Sequence, residues 1–274
     1  MRAVSAEDES PTQAHSLLDL LDLKPDGEDS FVAPRGLSMG PRLFGGQVAA
    51  QSLAAAVRTV SPEHRPQSLH AYFILAGKPD VPLRLDVERT RDGRSCTTRR
   101  VVASQNGRAI FEMSASFHVE EDGGADWSTP VPVEAPDPDL LPKFVGVESR
   151  PSGVFFEMRP VHRTDRPFAV PPYWVRMNED VSDGATAACV LTYLSDMGIL
   201  AMARAPGQPI MMMASSLDHA IWFHRPYDPQ EWHLFTGAPR SNFGARGLAV
   251  GGLFSRDGVL VASVVQEGLF RQPR

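Results

Sequence analysis

The chain has 274 residues, enough for two domains of ordinary size that each bury a core. Hydrophobic residues make up 42% and charged residues 22%, proportions typical of a globular protein. The formal net charge of −6 argues against a nucleic-acid-coating surface, which would be basic. The two cysteines, Cys96 and Cys189, form no CxxC pair, so we expect neither a disulfide framework nor a cysteine-based zinc site.

Targeting signals are not evident in the sequence. The segment MRAVSAEDESPTQ is acidic and polar and lacks the apolar region of a secretory signal. No stretch approaches the roughly 20 apolar residues that a membrane span requires. The terminal RQPR is not a peroxisomal address of the SKL type. We therefore expect a cytoplasmic protein that has neither a membrane nor a nucleic acid as its partner.

The first half of the chain predicts a helix followed by an antiparallel meander. HSLLDLLDLK has the spacing of a short amphipathic helix, and FVAPRGL is typical of a strand broken by Pro34. An Ala-rich segment predicts a helix over residues 47–60, and Gly45 and Gly46 allow close backbone approach at its start. The turn signals GKPD, RDG and QNG then separate four expected strands, at residues 68–75, 83–91, 95–105 and 109–118.

The second half repeats this order after a change in composition. Residues 119–142 contain five prolines and many acids, which predicts a linker or a segment that follows the surface. VFFEMRPV and YWVRM are then strand-like, and residues 183–200 predict a helix. The final strands are expected at residues 214–224, 231–237, 244–255 and 259–269.

An internal duplication is the simplest explanation of this order. The segments SLHAYFILAGKPDVPLRL and SLDHAIWFHRPYDPQEWHL begin at Ser68 and Ser216, 148 positions apart, and the offset changes by only one residue along them. Each half predicts a curved antiparallel sheet wrapped around a central helix, which is the hot-dog arrangement of the α+β class. We predict a hot-dog domain at residues 15–118, a linker at 119–149 and a second hot-dog domain at 150–274.

Six segments, in order, resemble the acyl-CoA thioesterase II family: FGGQVAAQSL, DGRSCTTRRVVASQNGRAIFEMSASF, YLSD, SLDHAIWFHRP, ARG and DGVLVASVVQEGLFR. The resemblance implies a double hot-dog fold that hydrolyses fatty acyl-CoA to free acid and CoA. It implies acyl-CoA as the substrate, self-association into a homo-oligomer (a dimer or tetramer), and no cofactor. It also implies an Asp, a Thr or Ser, and a Gln that orient a water without a covalent acyl-enzyme.

Carried over by position, these catalytic residues fall on Asp196 in YLSD, Ser216 before LDHAIWFHRP, and Gln266 in VQEG. Many members have Thr where this chain has Ser216, so the hydroxyl is retained without the methyl group that restricts the rotamer. We expect the carboxylate to accept a proton from water, while the hydroxyl and the amide hold that water.

The residues themselves favour the same positions. Asp196 follows an apolar helical run, and the macrodipole at a helix C-terminus disfavours a carboxylate and raises its pKa. Gln266 lies in an otherwise apolar strand and needs hydrogen-bond partners, for which Asp196 and Ser216 are natural candidates. The internal alignment places Ala115 at the position of Gln266 in the first copy. Strand alternation predicts that Ser216 shares a face with Asp218.

The alternatives involve His219, which alternation places on the other face, and His224. Asp218 with His224 invites comparison with hot-dog hydratases that act on enoyl-CoA, whereas His219 with His224 suggests metal ligands. A non-catalytic module that binds acyl-CoA is a further hypothesis. An oxyanion would need backbone N–H donors, for which Gly46 and Gln47 are our candidates. The candidates for contacts with CoA phosphates are Arg99, Arg100, Arg240 and Arg246.

Overall fold

The computed structural model describes residues 16–35, 42–144, 154–162, 170–204 and 213–271. The helices are α1 (Leu17–Leu21), α2 (Gly45–Val57), α3 (Gly184–Ser195) and α4 (Ile199–Met202). The strands of the first half are β1 (Lys24–Pro25), β2 (Ser30–Ala33), β3 (His64–Phe73), β4 (Leu83–Arg91), β5 (Cys96–Gln105) and β6 (Arg108–Val119). Those of the second half are β7 (Phe156–Pro160), β8 (Tyr173–Met177), β9 (Met213–Ser216), β10 (Asp218–Phe223), β11 (His233–Phe243), β12 (Arg246–Ser255) and β13 (Leu260–Arg271).

The strands form one antiparallel sheet in the order β1-β2-β4-β5-β6-β3-β10-β13-β12-β11-β8-β7, and β9 also pairs with β13. At its centre β3 pairs with β10, with His70 opposite Ala220. These two strands carry the segments whose similarity suggested a duplication, so the two meanders join edge to edge. The α+β class and the paired curved sheets are therefore confirmed. The predicted domain limits at residues 15 and 149 lie outside the described residues.

Helix α2 supplies the packing of the first meander. It contacts β4, β5 and β6, and its alanines are almost fully buried, which allows the sheet to approach closely. The β5–β6 turn uses Asn106 and Gly107, both with positive φ, as the QNG signal predicted. Helices α2 and α3 also pack against each other. In the described part of the chain, no helix is long and apolar enough to cross a membrane.

The helix predicted over residues 183–200 is interrupted. Helix α3 ends at Ser195 with Asp196 as its C-cap, and Gly198 then adopts a left-handed conformation with φ of 97° before α4 begins. Glycine tolerates this conformation without the steric cost that other residues incur. The break places Asp196 at the C-terminal end of α3, the position from which we predicted its raised pKa.

The Pro-rich segment follows the surface of the second meander, as predicted. Trp174 donates through its indole N–H to the Pro136 carbonyl, at 2.9 Å. Apolar residues of the segment cover a cluster on the outer face of the sheet that consists of Trp174, Trp232, Leu234 and Phe254. Arg225 also links the segment to the sheet, because it donates hydrogen bonds both to the Leu260 carbonyl and to Asp126.

Candidate active site

The site begins at the N-terminus of α2, which lacks a local cap. The N-cap residue Phe44 makes no side-chain hydrogen bond. Instead, Asp196 at the end of α3 accepts a hydrogen bond from the Gly46 N–H, at 2.8 Å. A Cβ at Gly45 would lie 2.8 Å from the Asp196 carboxylate, and one at Gly46 would lie 2.6 Å from the Tyr193 carbonyl. The close contact between the start of α2 and the end of α3 therefore requires glycine at both positions, as the sequence predicted.

Asp196 is only 8% exposed, and this burial raises the pKa of its carboxylate to about 6. Hydrogen bonds from the Gln266 side chain and the Gly46 N–H oppose the shift. The direction of the pKa shift agrees with our expectation, but its largest cause is desolvation by burial instead of the dipole of α3. The positive end of the α2 dipole faces the carboxylate and favours its ionised form, so desolvation is the dominant effect.

Gln266 and Ser216 meet on neighbouring strands. Gln266 on β13 is completely buried, and its amide Nε2 donates to the Ser216 hydroxyl at 2.8 Å. Ser216 ends β9, which pairs with β13 so that Ser216 lies opposite Gly268. Asp196 lines the same cleft as Ser216, and the Gln266 side chain lowers the pKa of Asp196, so the structure brings the three predicted residues together.

Our assignment of strand faces was wrong at Ser216. The pairing with β13 shifts by one residue between Ser216, opposite Gly268, and Ala220, opposite Val265. The break at Leu217 turns Ser216 inward, whereas the Asp218 carboxylate accepts a hydrogen bond from the Glu267 backbone N–H at 2.8 Å. A one-residue shift exchanges the two faces of a strand, which is why simple alternation failed here.

His219 is the residue whose place in the site the sequence did not reveal. It is 1% exposed, and its Nδ1 atom contacts the Gln266 amide oxygen. Its Nε2 atom lies 2.7 Å from the hydroxyl of Ser195, the last residue of α3. Burial lowers the pKa of His219 to about 4, so the ring is neutral. The sequence pattern that could have indicated its burial is its spacing of two residues from Ile221, which is also buried.

The structure does not bring the alternative residues together. Asp218 begins β10 and His224 follows its end, where the His224 Nε2 atom contacts the Ser263 hydroxyl at 2.8 Å. The described residues contain no group of three His, Cys, Asp or Glu side chains arranged to hold a metal ion.

A cleft of about 570 Å³ opens beside the start of α2, and Asp196 and Ser216 are among the residues that line it. Arg42 lies at its edge, with its guanidinium 3.5 Å from the Ser215 hydroxyl. The other walls are mainly apolar, formed by Leu43, Phe44, Val48, Phe73, Ile74, Leu75, Ile110, Phe111, Leu200, Ala214 and Leu217. The arrangement thus combines a titratable carboxylate with a long apolar surface.

Two of the candidate arginines are already engaged. Arg99 is 1% exposed and hydrogen bonds with Thr59 and Asp92. Arg100 points outward and pairs with Glu112 and Glu88. Arg99 is therefore part of the core and is not available to a phosphate.

Comparison with known proteins identifies the family. Residues 33–118 match the model of the acyl-CoA thioesterase N-terminal domain, and residues 159–269 match that of acyl-CoA thioesterase. Human acyl-coenzyme A thioesterase 8 is 33% identical over 92% of this chain and 88% of its own length. The crystal structure of an acyl-CoA thioesterase II from Mycobacterium marinum is 37% identical, with a TM-score of 0.81 over 94% of this chain and 99% of that one.

The chain belongs to the acyl-CoA thioesterase II family. As a member it is an enzyme, a hydrolase of acyl-CoA thioesters. A protein from Alicyclobacillus acidocaldarius whose structure is described as a hot-dog fold supports the fold alone, at 20% identity and a TM-score of 0.77 over 95% of this chain and 100% of that one.

The two halves of this thioesterase differ at the site. In the first half Leu69 pairs with Ala115 across β3 and β6. Ala115, which the internal alignment places at the position of Gln266, thus has Leu69 as its neighbour on the adjacent strand, whereas Gln266 has His219. The polar pair of His219 with Gln266 therefore replaces an apolar pair, and we expect the chemistry in the second half.

Proposed function

We propose that this thioesterase hydrolyses fatty acyl-CoA to free fatty acid and CoA through one water held by Asp196, Ser216 and Gln266, without a covalent intermediate and without a metal or redox cofactor. The observation that carries the proposal is the buried Asp196 carboxylate with a pKa of about 6, hydrogen bonded to Gln266 beside an apolar cleft. A base with a pKa near the working pH accepts a proton efficiently and can return it.

In the proposed reaction, the water oxygen attacks the thioester carbonyl carbon while Asp196 accepts one water proton. The Ser216 hydroxyl contacts the water, and the Gln266 amide holds that hydroxyl in position. The tetrahedral intermediate then expels the CoA thiolate as the carbon–sulfur bond breaks. The Asp196 carboxylic acid returns its proton to the thiolate, so the products are the carboxylic acid and the CoA thiol.

The oxyanion is expected at the start of α2, where backbone N–H groups and the helix dipole favour negative charge. The Gly46 N–H is already donated to Asp196. Our candidate for the additional donor is therefore the N–H of Gln47, the next residue in the first turn of α2.

The apolar walls of the cleft support an acyl chain as the group that is bound. Ile74 and Leu75 are 46% and 42% exposed at its rim, so contact with an alkyl chain would remove apolar surface from water. Arg42 at the edge offers a cation to an anionic group of CoA.

The decisive experiment measures release of free CoA thiol from short, medium and long acyl-CoAs by the wild type and by Asp196→Asn. We expect the substitution to lower kcat by roughly 100- to 10,000-fold, because the amide cannot accept the proton. Asp218→Asn is the matched control, since this carboxylate contacts the Glu267 backbone and should be dispensable. Full hydrolysis by Asp196→Asn would eliminate the proposed site, and a loss confined to Asp218→Asn would place the general base at Asp218 instead.

The cellular location and the oligomeric state are also proposals. We propose that the enzyme acts in the cytoplasm and self-associates into a dimer or tetramer. Light scattering coupled to gel filtration would test the assembly, since a mass near 30 kDa is that of one chain.

A further inference from the structure

We propose that His219 is a positioning residue that, held by Ser195, fixes the Gln266 amide with its NH₂ group toward Asp196 and Ser216. This inference rests on the proposed function, because it concerns how the Gln266 amide is held for the reaction. The network runs through buried groups from the last residue of α3, across β10, to β13.

The charge of Asp196 determines which way the amide points. An amide oxygen aimed at the ionised carboxylate would repel it, whereas the Gln266 side chain lowers the pKa of Asp196, as a donor does. Its NH₂ group also donates to the Ser216 hydroxyl, at 2.8 Å. The amide oxygen of Gln266 must then face the His219 Nδ1 atom, as it does in the structure. This contact is a hydrogen bond only if Nδ1 carries the proton.

The Ser195 hydroxyl completes the assignment. A neutral imidazole with its proton on Nδ1 has a bare Nε2 atom, which needs a donor. The Ser195 hydroxyl lies 2.7 Å from Nε2 and 2.8 Å from the Thr192 carbonyl, and its single hydrogen can serve only one of them fully. Because the amide orientation puts the proton of His219 on Nδ1, the hydroxyl hydrogen of Ser195 is assigned to the bare Nε2 atom.

Burial of the histidine supports this arrangement. Its lowered pKa keeps the ring neutral at physiological pH, so only one ring nitrogen is a donor and the direction of the hydrogen bonds is defined. The first half of the chain has neither member of the pair, since Leu69 lies opposite Ala115 there. The histidine thus accompanies the buried amide, as expected for a group whose task is to orient it.

Two isosteric substitutions separate positioning from mere packing. The amide nitrogen of Asn lies near the position of Nδ1, so His219→Asn retains the donor to Gln266. The amide nitrogen of Gln lies near that of Nε2, so His219→Gln retains a group beside Ser195 and loses that donor. We expect His219→Asn to keep most of its kcat, and His219→Gln to lose roughly 10- to 100-fold in kcat with little change in KM. The rising limb of the kcat profile should also move to higher pH in His219→Gln, because Asp196 loses the Gln266 hydrogen bond that lowers its pKa.

An equal loss in both variants, or wild-type kcat in His219→Gln, would overturn the proposal. The protonated nitrogen of His219 can also be measured directly in the wild-type enzyme. Nitrogen NMR of the wild-type enzyme labelled with ¹⁵N-histidine reports which ring nitrogen of His219 carries the proton. The His219 signals are assigned by through-bond correlation or by comparison with a folded variant that lacks this histidine. We expect the proton on Nδ1; a proton on Nε2 would mean the opposite amide orientation and would refute the inference. Failure of the proposed function would instead appear as full hydrolysis by Asp196→Asn, whatever the histidine tautomer.

Discussion

Helices α2 and α3 both begin with a glycine, Gly45 and Gly184, yet their N-termini are neutralised in different ways. Helix α3 carries its own cap, because Asp183 accepts hydrogen bonds from the Ala185 N–H at 3.0 Å and the Thr186 N–H at 2.8 Å. Helix α2 has no such cap and receives the carboxylate of Asp196 from the other half of the chain. Each start borders a cavity, of about 570 Å³ at α2 and about 400 Å³ at α3.

The difference between these carboxylates shows how burial raises the pKa of a carboxylate that caps a helix. Burial tends to raise the pKa of Asp183, but hydrogen bonds from Thr186 and Ala185 outweigh it and the pKa is lowered. Asp196 is buried more deeply, and its two hydrogen bonds do not compensate for the lost solvation. A local and solvated cap thus keeps a low pKa, whereas a distant and desolvated one has a pKa of about 6.

The largest expected effect is on stability. The pKa of Asp196 is raised from 3.8 to about 6, so the folded protein binds this proton more tightly than the unfolded chain does. The stabilising contribution is complete below pH 3.8 and is lost as pH rises through 6. Asp196→Asn should therefore exceed the wild type in unfolding free energy at pH 8 by up to about 3 kcal/mol, and this advantage should vanish near pH 4. Urea denaturation of both proteins across this range would measure it, and a difference independent of pH would contradict the shifted pKa.

A matched pair of glycine substitutions tests the two helix starts directly. A Cβ at Gly45 would lie 2.8 Å from both Asp196 and the Phe73 ring, whereas one at Gly184 would meet mainly the flexible end of Arg65, at 2.9 Å. Gly45→Ala should displace the carboxylate and reduce kcat by roughly 10- to 100-fold. Gly184→Ala should leave kcat close to that of the wild type. Equal kcat values for the two variants in the CoA-release assay would show that catalysis does not depend on the contact between Asp196 and the start of α2.

The smallest expected effect concerns the local cap. Asp183→Ala removes the acceptor for two backbone N–H groups and should lower the unfolding free energy by about 1 kcal/mol. Asp183→Ser retains a capping oxygen and should recover most of this loss. Neither substitution should change kcat at a temperature where the protein is folded. A fall in kcat without a fall in stability would indicate that the start of α3 also takes part in the reaction.

Much of the architecture follows from local patterns. Alternating apolar residues and the turn signals predicted the strands of both meanders, and the ends of β4 were predicted to the residue. The glycine pair Gly45 and Gly46 and the isolated polar Gln266 stood out because such residues are costly without a specific contact. The resemblance to known thioesterases then singled out Asp196 and Ser216, which the structure brings together with Gln266.

Other features required tertiary structure because they depend on contacts between distant segments. The one-residue shift at Leu217, which turns Ser216 toward Gln266, arises from pairing with β13 and leaves no local pattern. The burial of Arg99 and the place of His219 depend likewise on their neighbours. The environment of Asp196 combines the end of α3 with the start of α2, 150 positions earlier in the chain. The sequence by itself determined which segments are strands and helices and which polar residues are unusual, since periodicity and residue type are local. Only the tertiary structure decided the charge state of the site, because desolvation and hydrogen bonding come from residues that folding brings together.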